Sequence, residues 1–463
     1  MGSLGVLKMD LEKIYSYIDA NRERYIELLQ SFVRQPSVAS MHPENEQMKE
    51  LVMKTVREYT GAEPEEIKTP GNSVLYTEIP GKRKDRTLGI YNHYDVVSAG
   101  DESQWKYPPY SGTIEDGRIL YSRGAADNKD ALACRLCALE AIRAVGEELP
   151  LNVKMVYDGE EEVGSPSLSK VVAENPAKFH ADGYMWEGGD RLPDNGPLII
   201  ALGAKGMLSV ELFAKGGDID IHSANAPLVV NPAWRLVWAL ASIKDVNDKI
   251  LIDGFYDDVE PVTQAELDSL KMGHFDPDDA KRLSGVKEYI GGVEGDEALK
   301  KLLFAPTANI DGMVSGHTGT EHKSLVPARA SVKMDFRLVA GQDPAKIEKL
   351  LRKHLDDHGF SDIEMVVESG CAPFRSDINS TYVKALIDAA TDIYGAEPAI
   401  QITLAGTSPM EKICKYGNIP VAMIGPGNTE SAVHSPNEHI FLEDYILGIK
   451  MVVATIDKFA KAE

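Results

Sequence analysis

Cysteine is scarce, with four residues in 463. So few thiols exclude a disulfide framework and point to a reducing cytoplasm. Cys134 and Cys137 do form a CxxC, but inside the amphipathic run DALACRLCALEAIRAV. With no second CxxC they read as two buried helix residues, not a zinc ribbon. No uninterrupted apolar stretch reaches the roughly 20 residues of a membrane span. The opening MGSLGVLKMDLEKI meets Asp10 and Glu12 too early for a secretory signal. Positive charge is in deficit, 49 Lys and Arg against 72 Asp and Glu, for a net charge of −23. Such a surface repels phosphate backbones and anionic membranes, so neither nucleic acid nor membrane is expected as a partner. Chemical motifs are missing too. No HExxH marks a helix-borne zinc site and no GxSxG marks a nucleophile elbow. In SGHTGTEHKS the glycine does not directly precede the lysine and no helix opens, so a phosphate loop is not expected. Internal repeats and low-complexity segments are absent.

The chain is long enough for two domains, one interrupting the other. The first eight residues read as a leader, because Met9 opens a cleaner helical pattern. Residues 10–34 and 44–60 carry apolar residues at helical spacing. Short strands and helices then alternate: 73–79, 86–92, a helix from about 128 to 146, 151–158 and 182–187, with IPVAMIG (419–425) a further strand. That grammar predicts an α/β fold, a three-layer αβα domain around a mostly parallel sheet. The middle differs. GMLSVELFAKG and ARASVKMDFRLVA alternate apolar and polar residues, as half-exposed antiparallel strands do. With NPAWRLVWALASIK, DPAKIEKLLRKHLDDHG and SDIEMVVES they predict a ferredoxin-like β-α-β-β-α-β domain. We place it at 204–374, with a loop-rich acidic stretch near 255–300. Residues 9–203 and 375–463 form the first domain.

Five clusters of metal-binding residue types lie at or after ends of the first domain's strands: NHYDVV (His93, Asp95), SRGAADNKD (Asp127), YDGEEEVGS (Glu161, Glu162), MWEGG (Glu187) and VHSPNEH (His434). Ligands of open α/β sheets bind beyond the strands' carboxyl ends, so these clusters converge. Each has a bland reading alone. His93 and Asp95 could be a satisfied polar pair, Asp127 a helix N-cap, and three adjacent glutamates a solvated loop. Together they supply two histidines, a bridging carboxylate, further acidic ligands and a spare glutamate. That set suits two divalent ions and a general base for hydrolysis.

On these motifs, with KGMLSVEL, DIHSA, DFRLVAGQDP, AGTSP and HSPNE, the chain resembles the co-catalytic zinc metallopeptidases. These include carnosinase, glutamate carboxypeptidase, aminoacylase and succinyl-diaminopimelate desuccinylase, and the likeness runs from about residue 10 to the C-terminus. The resemblance implies two zinc ions bridged by Asp127, one completed by His93 and Glu187, the other by Glu162 and His434. Manganese or cobalt would suit the same ligands. It implies Glu161 as general base and acid, Asp95 as the orienter of His93, and a cis peptide after Asp127. The inserted domain becomes a lid that forms a homodimer. His222 then stabilises the oxyanion in the partner's site, Arg337 binds a substrate carboxylate, and Ser324, Gly406 and Thr407 line the substrate. Without the resemblance, His222 is equally a loop residue or cap and Arg337 a strand-face charge. One departure divides the substrates. Relatives that act on free N-termini usually carry Asp where Glu187 stands; those that deacylate or cut before a C-terminal residue usually carry Glu. A small peptide is thus one expected substrate and an N-acyl amino acid the other. In NKDAL the glycine usual after NKD is also missing, which changes a helix start and not a ligand.

Overall fold

A computed structural model describes residues 9–40, 42–270 and 277–463. The expected leader, residues 1–8, lies outside the described residues. An eight-stranded sheet forms the larger part, and its central strands Leu151–Asp158, Arg83–His93, Gly183–Trp186 and Val421–Met423 run parallel in that order. Both faces are covered, as the alternating side chains require. Leu88, Ile90, Val153, Met155 and Met185 face the helices Arg22–Arg34, Lys129–Ala144 and Leu442–Lys461. Tyr91, Val156, Tyr184 and Trp186 turn the other way, onto Leu168–Glu174 and Glu411–Cys414. Burial on both faces explains why these strands read as nearly continuous apolar runs. The CxxC cysteines are both buried in the helix Lys129–Ala144.

The run expected as one helix from 10 to 34 is two, Leu11–Ala20 and Arg22–Arg34. At Asn21 the side-chain amide donates to the Tyr17 carbonyl at 2.9 Å. A side chain that takes over a backbone acceptor competes with the helical ladder.

The smaller, four-stranded sheet is antiparallel throughout. Its order is Thr307–Ser315, Arg329–Leu338, Gly206–Lys215 and Glu364–Cys371, the split βαβ arrangement. The strand Thr307–Ser315 carries no clear alternation because its register shifts between Ile310 and Gly312, which explains why no motif announced it. One face packs on the helices Pro232–Ile243 and Pro344–Asp357. The stretch near 255–300 holds more helix than its loop-like composition suggested. A capping box of Thr263 and Glu266 starts Gln264–Ser269, and Pro277–Ser284 and Gly295–Phe304 follow. The chain crosses between the two sheets twice, side by side: Gly203–Ala204 pairs with Phe374–Arg375. Among the described residues no helix is long and apolar enough to cross a membrane.

Candidate metal centre

His93 is the last residue of its strand, fully buried, in register with Asp158 on the neighbouring strand. Its Nδ1 faces Asp95, 3.0 Å from the carbonyl and 3.3 Å from Oδ1. With Nδ1 donating there, Nε2 is the nitrogen left for a cation. Nε2 lies 3.0 Å from Asp127 Oδ1 and 3.5 Å from Glu187 Oε2. On the opposite side of Asp127, Oδ2 lies 3.0 Å from His434 Nε2, which is also 3.0 Å from Glu162 Oε2. The two oxygens of Asp127 therefore serve two separate donor groups. Zinc–ligand bonds of about 2 Å at near-tetrahedral angles put donor atoms on the order of 3.3 Å apart, and the separations match. Glu162 Oε1 and Glu187 Oε2 are buried and accept no hydrogen bond. Cations would satisfy both oxygens, and the residues fit a pair of divalent ions.

The capping alternative for Asp127 fails. The helix begins at Lys129, and Asn128, not Asp127, is its N-cap residue. The Asp127–Asn128 peptide is cis, as the resemblance implied. Asp95 does more than face His93: Oδ1 accepts the Glu161 amide at 3.2 Å and Oδ2 the Glu162 amide at 3.1 Å. One carboxylate thus positions a histidine and both glutamates. His434 takes a left-handed backbone, φ 59°, a region that non-glycine residues enter infrequently.

The protein charges alone are badly matched. Burial raises the Glu161 carboxyl well above its usual range, and Glu187, Asp127 and Glu162 add repulsion. Glu187 is pushed up to about 8 by burial, then by Asp127 and Glu162. Burial also opposes the Asp127 charge, but hydrogen bonds from His434 and His93 hold that group well below its normal value. His434 is raised to about 10 by Asp127 and Glu162. Cations placed among these carboxylates reverse this logic.

The remaining expected residues form two further groups. Arg337 Nη1 donates to Thr407 Oγ1 at 2.7 Å, and its Nε lies 3.3 Å from Asp335. The Gly406 carbonyl accepts from Lys205 N at 3.0 Å, and a Cβ on Gly406 would meet open space. His222 is exposed at the end of a two-stranded ribbon, opposite Leu325, and the exposed Ser324 adjoins it; the Ser324 carbonyl accepts from Ser223 N at 3.1 Å. The His222 Nδ1 accepts the Ala224 amide at 3.1 Å, the capping role foreseen as the bland reading. That bond leaves the proton on Nε2, which makes Nε2 a donor.

A model of peptidase family M20/M25/M40 matches residues 89–458. The chain belongs to this family. A crystallised M20 family metallo-carboxypeptidase from Sulfolobus solfataricus is 38% identical, with a TM-score of 0.90 over 94% of this chain and 99% of that one. The human Beta-Ala-His dipeptidase is 28% identical, over 96% of this chain and 92% of its own length. The Cys-Gly metallodipeptidase of Schizosaccharomyces pombe is 24% identical, over 98% of this chain and 99% of its own length.

Two residues of this M20 chain escaped the sequence reading. Glu438 is fully buried; Oε1 accepts the Ala126 and Asp127 amides at 2.9 and 3.0 Å, while Oε2 accepts the Gly124 amide and pairs with Arg123. It ties the Asp127 turn to the segment that carries His434. Its signal was present as the acid of VHSPNEH, a motif in which the histidine alone showed a task. Arg135 is buried behind the site and donates to the carbonyls of Tyr91, Trp186 and Ile424. It holds together the ends of three ligand-bearing segments. A lone arginine on the apolar face of DALACRLCALEAIRAV was the available sign.

Proposed function

We propose that this M20 peptidase hydrolyses the amide bond before the C-terminal residue of a dipeptide or short peptide, at a dinuclear zinc centre. The observation that carries the reading is the two-sided Asp127, with one imidazole 3.0 Å from each carboxylate oxygen. In this assignment His93, Asp127 and Glu187 hold one ion, and Asp127, Glu162 and His434 the other. When bound, such a pair polarises the scissile carbonyl and makes the attacking water more acidic. Glu161 takes the water proton and returns it to the leaving nitrogen. Arg337, held by Thr407, binds the C-terminal carboxylate, and Ser324 and Gly406 border the same substrate. We assign residues 9–203 and 375–463 to the catalytic domain and 204–374 to a lid through which a homodimer forms. His222 of the partner subunit then donates to the developing oxyanion. Four buried free cysteines support a cytoplasmic setting.

Glu187 favours a second reading, an N-acyl amino acid deacylase. Metal-loaded protein assayed on unblocked dipeptides, N-acyl dipeptides and N-acetyl and N-succinyl amino acids separates the two. Release of the C-terminal residue from dipeptides supports the peptidase reading. Cleavage of acyl amino acids alone supports the deacylase, and no hydrolysis of any substrate sinks both.

A further inference from the structure

Every carboxylate so far placed in the centre is assigned to a metal ion, to a proton or to holding another part of the site. Asp190 is not. It stands three residues after Glu187, beyond a turn whose two glycines both take left-handed backbones, Gly188 at φ 70° and Gly189 at φ 95°. A Cβ on Gly189 would lie 2.5 Å from the Gly425 nitrogen, so the turn is pressed onto the end of the Val421–Met423 strand and admits no larger residue. The turn folds Asp190 back to pair with Gly427, at the start of the segment that leads to His434. Gly427 makes room for it: a Cβ there would sit 2.8 Å from Asp190 Oδ1. The carboxylate is thus wedged between the segment bearing Glu187 and the segment bearing His434.

Half-buried there, it has no hydrogen bond or ion pair among the described residues. A cation is next door but aimed elsewhere. The Arg191 guanidinium is used up by Asp444 at 2.8 Å and the carbonyls of Gly196 and Asn195. Burial, with Asp127 adding repulsion, pushes Asp190 up to about 6, so its carboxyl lies within the field of the bridging aspartate. A carboxylate kept in such a place without a partner is costly, and a ligand cation would offset the cost.

A dipeptide brings one. With its carboxylate on Arg337 and its scissile carbonyl at the metal centre, what is left at the other end is the terminal ammonium. We infer that Asp190 is a specificity residue that receives the free N-terminal ammonium of the substrate, which directs this peptidase to unblocked dipeptides. The inference rests on the peptidase reading above and narrows it. It also answers the departure at Glu187, because the anion that selects a free amine need not be the metal ligand itself.

The test compares a matched pair that share one scissile bond, an alanyl dipeptide and its N-acetyl analogue, on the metal-loaded full chain. Wild type should favour the free dipeptide. Asp190→Asn should lose roughly ten- to a hundredfold in kcat/KM on it, chiefly through KM, the range for an unmatched charged hydrogen bond. The acetylated analogue should change less than about threefold, since a neutral amide makes no charge-assisted bond to a carboxylate. Asp190→Glu should recover part of the loss. Metal content and melting temperature, compared with wild type, check that the variant is folded. Equal losses on both substrates, or a wild-type preference for the blocked one, overturn the assignment of Asp190 while leaving amide hydrolysis intact. No hydrolysis of either by wild type would instead sink the peptidase reading.

Discussion

The two ends of the proposed reaction centre are held in opposite ways. At the metal end, His93, Glu438 and Arg135 are buried, and each ligand-bearing segment is tied to another: Asp95 to the glutamate pair, Glu438 to the Asp127 turn, Arg135 to three carbonyls. At the substrate end, His222 and Ser324 are exposed, and Arg337 reaches the larger sheet's side through Thr407. Preorganisation is concentrated at the end where charge is proposed to develop. Of the residues proposed to recognise substrate, Arg337 sits on the separate four-stranded sheet, and that sheet is joined to the larger one by the paired crossings Gly203–Ala204 and Phe374–Arg375.

That contrast can be broken from either side. The largest effect is expected from Glu161→Gln, which should keep both metal ions and lose roughly 10²–10⁴-fold in kcat, the contribution of a positioned general base. Retained turnover at normal metal content would remove Glu161 from its role. Arg337→Ala should spare metal binding and raise KM for dipeptides by roughly ten- to a hundredfold, as loss of a charged contact does. A fall in kcat alone would show that Arg337 is not a ground-state anchor. Glu438→Gln touches neither metal nor substrate, yet should weaken metal affinity by about tenfold or more, the scale for groups that orient ligands. Unchanged affinity would break the claim that the metal end is over-determined.

The smallest effect concerns protons. In the metal-free cluster His434 is raised to about 10 by Asp127 and Glu162, so near neutral pH it carries a proton that a metal ion must expel. Loading should release protons, and for each one released the apparent affinity should fall by about tenfold with every unit the pH is lowered. Titration calorimetry in buffers of different ionisation enthalpy reads the number directly. No release near pH 7 would mean that His434 is not a ligand.

The metal end was also the more legible in sequence. Four of its five candidate segments follow apolar parallel strands, whose ends converge by topology; Asp127 instead follows Ile119–Tyr121 of a small antiparallel sheet. The amino-acid pattern alone therefore groups the clusters around His93, Asp127, Glu161 and Glu162, Glu187 and His434, while the division into metal ligands and base came from the family resemblance. The residues that serve ligands through the backbone were not legible. Glu438 acts on amides, which leave no trace in side-chain pattern. Asp190 depends on a two-glycine turn whose direction no spacing reveals. The smaller sheet showed its regular strands, but its bulged edge strand Thr307–Ser315 was hidden because the register shift spoils period-two alternation.

The central claim, two metal ions sharing Asp127, is tested most directly by titrating metal-free protein with zinc and following bound metal and dipeptide hydrolysis together. Two ions per chain, with hydrolysis complete only at the second and both lost in Asp127→Ala, is the predicted result. Full hydrolysis at one ion per chain, or two ions retained without Asp127, would contradict it.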